Sequence, residues 1–124
     1  MERLEAGQVY TAKRTDIADI KIKIQLYFAD NLILLINTNK SKSCVSVPIR
    51  QADCPLLDHD SYIELDMVFQ YLPEQKILNI CEVPTNVLKQ IYDMLNMSTQ
   101  ISGIQKQQIR KIIRKIIIKR ENEQ

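Results

Sequence analysis

Glycine and histidine are nearly missing from this 124-residue chain, which has only Gly7, Gly103 and His59 of these two types. Two glycines so far apart exclude the GxGxxG dinucleotide fingerprint and the GxxxxGK[ST] phosphate loop, which need glycines a few residues apart for close backbone approach to phosphate. One histidine excludes HExxH and three-histidine zinc sites, and it excludes an acid/base mechanism built on paired histidines. Cysteine is scarce and odd in number. Cys44, Cys54 and Cys81 contain no CxxC pair and read as reduced thiols of a cytosolic protein; a Cys3His zinc site is the arithmetical alternative. The longest apolar run, residues 32–36, is too short to cross a bilayer, and the first ten residues lack a signal-peptide pattern. These absences predict a cytoplasmic protein with no membrane span, no metal and no cofactor.

What is present suits one domain. The chain is 45% hydrophobic and 26% charged, and at this length folding buries roughly two-thirds of the unfolded surface without help from disulfides or metal. The formal charge of +2 hides a strong asymmetry. Residues 1–105 sum to −3, residues 106–120 carry seven basic groups and no acidic one, and residues 121–124 contribute −2. The basic segment is also periodic: Ile109, Ile112, Ile113, Ile116 and Ile117 follow the i, i+3, i+4, i+7, i+8 stripe of an amphipathic helix. Ser102 is the expected cap, Arg and Lys fill most of the solvent side, and residues 121–124 should fray.

The rest reads as β structure followed by a helix. Residues 20–28 (IKIKIQLYF) alternate strictly, Asp30-Asn31 supplies a turn, and residues 32–38 (LILLINT) are apolar enough for a strand covered on both faces. Residues 8–14, 44–49, 61–70 and 76–81 add shorter strands, with Pro48 marking an edge or bulge. Pro84-Thr85 opens a helix over 84–97, with Thr85 the expected cap. Strands first and helices last predict a mainly β fold: a small antiparallel barrel, or a strongly bent sheet, closed by the first helix over residues 1–100. Residues 101–124 then form a basic helical extension.

Two loops are candidates for chemistry. Residues 37–43 (NTNKSKS) are wholly polar, and Lys40 and Lys42 with the neighbouring hydroxyls suit phosphate oxygens, although a solvated loop tip has the same composition. Residues 50–60 lead into Asp58-His59-Asp60-Ser61, where a base, an acid and a hydroxyl lie close together. Alternating side chains at a strand entry cannot all converge, so Asp60 and Ser61 also suit a turn or cap.

The stretch Cys54-Pro55-Leu56-Leu57-Asp58-His59-Asp60-Ser61-Tyr62-Ile63 resembles a segment of the PemK/MazF toxins of bacterial toxin–antitoxin systems. The order of elements over about residues 4–100 is similar as well: a short strand after Gly7, a strand ending at Asp30, a strand ending Ile36-Asn37-Thr38, and a final helix. The resemblance implies an SH3-like barrel, often dimeric, checked by an antitoxin-like partner. In active members it implies a metal-independent endoribonuclease that cleaves single-stranded RNA by attack of the ribose 2′-hydroxyl. Carried onto this sequence, it makes Thr38, His59, Asp60 and Ser61 the catalytic candidates. Lys21, Lys23, Lys40, Lys42, Arg110 and Arg114 are the candidate RNA contacts. The Arg-Pro pair that enters the second strand in those toxins is replaced here by Lys21 and Lys23 with no proline. A second reading therefore stands beside the nuclease: a non-catalytic module that dimerises, or binds a protein or nucleic acid, through its basic helix.

Overall fold

A computed structural model describes residues 3–15, 22–39 and 45–123. Its strands are β1 (Gln8–Arg14), β2 (Ile22–Ala29), β3 (Leu32–Asn37), β4 (Ser46–Ile49), β5 (Ser61–Glu64) and β6 (Gln75–Glu82). Helices α1 (Thr85–Met94) and α2 (Gly103–Asn122) follow. The mainly β fold with two C-terminal helices is as the sequence pattern predicts.

Alternation decides the faces of β2: Leu26 and Phe28 are buried, while Lys23 is exposed. Asp30-Asn31 turns the chain into β3, giving the β2–β3 hairpin with Ala29 opposite Leu32. In β3, Leu32, Ile33, Leu34 and Ile36 are all buried, so both faces are covered as the unbroken apolar run implies.

All pairings are antiparallel, in the order β4-β5-β3-β2-β1-β6. The sheet is open: β4 and β6 are its two edges, rather than partners closing the expected barrel. Helix α1 packs on the β4 side. The run at 61–70 is strand only over Ser61–Glu64. Ile63 pairs Ile36 but Phe69 pairs Ile33, so the intervening residues loop out of the ladder and leave Met67 at 59% exposure.

One large core joins the inner sheet face to both helices. Val9, Leu26, Leu34, Val47 and Ile63 meet Val87, Leu88, Ile91 and Leu95 from α1 and its last turn, and Ile109 and Ile113 from α2. The isoleucine stripe of α2 is thus part of the main core. Its seat requires Gly7, which has φ +89°; a β-carbon there would lie 3.1 Å from Ile116 Cδ1. A smaller cluster of Leu4, Tyr10 and Ala12, flanked by Tyr27, Tyr71, Ile77 and Ile80, lies apart from this core.

Caps divide by chemistry. Ser102 Oγ accepts from Gln105 N at 3.2 Å, as expected of a serine cap. Thr85, by contrast, is the first residue of α1 and not its cap: Pro84 occupies that position without a side-chain bond. The Thr85 hydroxyl instead accepts from Arg120 Nη1 at 3.0 Å. Residues 121 and 122 remain helical where fraying is expected. The reading of reduced thiols is corrected for two cysteines, because Cys54 and Cys81, 27 residues apart in sequence, are joined by a disulfide tying the loop before β5 to β6. Cys44 lies outside the described residues.

Candidate nucleic-acid interface

Seven cations on one helix repel one another unless each finds a partner or solvent. Four of the seven on α2 turn back onto α1 and its ends. Lys106 Nζ donates to the Ser98 carbonyl, and Arg110 Nε donates to the Tyr92 carbonyl at 3.3 Å, placing positive charge at the C-terminal end of α1 where carbonyls are unpaired. Arg110 Nη2 also donates to Asn96 Oδ1 at 2.6 Å. Arg114 donates from Nε to the Tyr92 hydroxyl at 2.9 Å, and from Nη2 to the same oxygen. Arg120 reaches the other end of α1, donating to the Val83 carbonyl at 2.8 Å and pairing with Glu82 at 3.2 Å.

The two arginines also stack on Tyr92, with guanidinium carbons 5.4 Å and 5.3 Å from the ring centroid. A groove of about 680 Å³ runs beside them, lined by Tyr92, Asn96, Gln107, Arg110, Lys111 and Arg114 among others. A second hollow of about 290 Å³ shares Tyr92, Asp93 and Arg114 and adds Lys89. Four cations, three carboxamides and a tyrosine thus line a surface whose only carboxylate among the described residues is Asp93.

Lys111, Lys115 and Lys119 are exposed at i, i+4, i+8 and turn away from the core. The expectation that Arg and Lys fill the solvent side is met by these lysines, while Arg110, Arg114 and Arg120 belong to the seam with α1. The spacing of 106, 110 and 114 carries this signal, since three cations at i, i+4, i+8 beside a buried stripe flank whatever the stripe packs against.

The catalytic candidates gather at one end of the β3–β5 ladder. Asn37 pairs Tyr62, so Thr38 and Ser61 lie where β3 leaves and β5 enters. Their side chains do not form a linked constellation. Ser61 is 2% exposed, and its hydroxyl donates to the His59 carbonyl at 2.9 Å. Asp60 Oδ1 accepts from Gln51 N at 2.9 Å, fastening the start of the loop to its end. Thr38 and His59 are exposed, and among the described residues no hydrogen bond or ion pair engages the His59 ring. Among the described residues no three His, Cys, Asp or Glu side chains are grouped to hold a metal ion.

Lys23 lies on the same strand and face as Gln25, two residues away, and both line a cavity with Arg14. Lys21, Lys40 and Lys42 fall outside the described residues. No helix among the described residues is long and apolar enough to cross a membrane. Neither protein-family models, curated proteins nor solved structures give a match to this chain.

Proposed function

We propose that this chain is a toxin-like protein that binds single-stranded RNA along its helix pair and acts as a homodimer under an antitoxin-like partner. The observation that carries RNA binding is the cation-rich surface of α1 and α2. Lys111, Lys115 and Lys119 supply point charges at the pitch of a helix, and Arg110 and Arg114 present delocalised, stacked guanidiniums beside the amides of Asn96 and Gln107. In this reading the sheet is a divergent SH3-like barrel whose edge strands β4 and β6 stay apart, with α1 packed beside β4.

Anisotropy titration of a labelled single-stranded RNA against salt tests it. Exchanging Lys111, Lys115 and Lys119 together for Ala removes three phosphate partners, so the log–log salt slope should fall by roughly 2. Affinity unchanged by the triple exchange, or independent of salt, refutes the assignment.

A second reading rests on Thr38, His59 and Ser61 lying at one strand end. There, an exposed His59 takes the proton from a ribose 2′-hydroxyl, the 2′-oxygen attacks phosphorus, and the bond to the 5′-oxygen breaks as that oxygen takes a proton from water, His59 then giving its own back to solvent. The products are a 2′,3′-cyclic phosphate and a 5′-hydroxyl. Asp60 and Ser61 hold the loop through the Gln51 amide and the His59 carbonyl. Cleavage in excess EDTA that disappears with a 2′-deoxy substrate and with His59→Ala supports this chemistry; intact RNA under the same conditions refutes it.

A further inference from the structure

Among the described residues the two edges of the open sheet share no backbone hydrogen bond, yet one covalent bond spans the gap between them. Cys54 follows the end of β4 at Ile49 and Cys81 lies on β6, so their disulfide ties one edge to the other. Cys81 stands opposite Val9, a residue of the large core, and its side chain therefore meets the rim of that core. The two sulfurs differ in access. Cys54 has no exposed surface, whereas Cys81 is half-buried on the edge strand. Exchange begins when a thiolate reaches one sulfur and expels the other, so Cys81 is the sulfur attacked and Cys54 the one that leaves.

Cys54 belongs to a loop, residues 50–60, that is bonded mainly to itself. Gln51 N donates to Asp60 Oδ1 at 2.9 Å, Asp53 N to the Arg50 carbonyl at 3.0 Å, Cys54 N to the Gln51 carbonyl at 3.2 Å, and Leu57 N to the Cys54 carbonyl at 3.0 Å. Arg50 and Asp53 add an ion pair at 3.0 Å within the same loop. Apart from its junctions with β4 and β5, the disulfide and the packing of Leu56 and Leu57 hold it to the body. A chain of this length has core enough to fold without a bridge, so breaking the bond frees the loop and leaves the fold standing.

We infer that the Cys54–Cys81 bond is a thiol–disulfide exchange site with a dithiol as its substrate, and that it sets whether residues 50–60 are held against β6. One thiolate of the dithiol attacks Cys81 Sγ, the bond between the two cysteine sulfurs breaks, and Cys54 leaves as a thiolate that takes a proton from solvent. The second thiolate of the dithiol attacks its own sulfur now bonded to Cys81, closing an internal disulfide and releasing the Cys81 thiolate. Two electrons pass from the dithiol to the protein. His59 lies on this loop, so its placement falls under the same control. The exchange needs neither RNA nor a partner chain, and it stands apart from both readings above.

The test uses the full chain carrying Cys44→Ser, so that only this pair supplies thiols. Incubated with dithiothreitol and no denaturant, it should gain two alkylatable thiols by mass spectrometry while its circular dichroism stays that of the folded chain. With Cys54→Ser added, the remaining Cys81 should react with iodoacetamide roughly ten-fold or more faster than the Cys54 left by Cys81→Ser. Hydrogen exchange then reads the loop. On reduction the amides of Gln51, Asp53, Cys54 and Leu57 should exchange roughly ten-fold or more faster, at a rate that urea below the unfolding transition leaves unchanged, as opening of a loop alone requires. Reduction that occurs only after unfolding in denaturant, or Cys54 reacting as fast as Cys81, overturns the inference. Loop exchange that reduction does not alter, or that rises only with urea as global unfolding does, overturns it as well.

Discussion

Ile113→Ala should destabilise this protein by about 3 kcal/mol, within the roughly 2–5 kcal/mol typical of removing a buried isoleucine side chain beyond Cβ. The basis is that Ile113 has no exposed surface and belongs to the same core as Leu88 and Ile91 of α1 and Leu26 and Leu34 of the sheet. Losing three carbons costs their transfer from water plus a cavity, and neighbours held by sheet and helix on two sides cannot readily collapse into it. Total stability for a domain of this kind is about 5–15 kcal/mol, so the loss removes a large share and should lower the melting temperature by roughly 10 °C. Ile118→Ala on the same helix is the control: at 56% exposure it should change stability by less than about 0.5 kcal/mol. Urea unfolding followed by circular dichroism measures both. If Ile113→Ala and Ile118→Ala have equal midpoints and slopes, α2 does not share the core, and the account of its stripe is wrong.

Gly7→Ala should cost about 1–3 kcal/mol, because φ +89° is unfavourable for alanine and the new methyl meets Ile116 at 3.1 Å, whereas Gly103→Ala, with open space around it at the start of a helix, should be neutral or stabilising. The Tyr10 phenol, raised by burial from about 10 to about 12, binds its proton more tightly folded than unfolded. Its contribution is therefore complete below pH 10 and is lost as pH rises from 10 towards 12; denaturation midpoints against pH should fall there, and Tyr10→Phe should flatten the fall. Reducing the Cys54–Cys81 bond reopens a loop spanning 27 positions. On the chain-entropy account this costs about 3.5 kcal/mol, and an unfolding midpoint unchanged by dithiothreitol would contradict it.

The candidate sites were legible to different degrees. Period-two alternation located β2, and the apolar run at 32–36 marked β3 as covered on both faces, because burial is written directly into such patterns. The sheet's openness was not legible, since hydrophobic alternation fixes which face is buried but not whether edge strands meet. Nor was the pairing of Cys54 with Cys81, which depends on the loop before β5 being brought against β6. Arg110 and Arg114 showed the same limit from the functional side. Composition marks them as cations suited to phosphate, but their contacts with Tyr92 follow from the antiparallel packing of two helices.

By itself the sequence determined the local alternatives: which segments alternate as strands, which helix carries seven cations and an isoleucine stripe, where Ser102 caps it, and which nucleotide-binding loops and histidine zinc sites are excluded. These follow from side-chain periodicity and residue chemistry, which act within a few residues. Only the tertiary structure decided that the sheet stays open, that the stripe of α2 completes the core, that Ser61 turns its hydroxyl to a backbone carbonyl, and that the Tyr10 hydroxyl donates across the sheet to Gln25. Each of these depends on contacts between residues distant in sequence, and the free energy of such contacts arises only when the elements pack together.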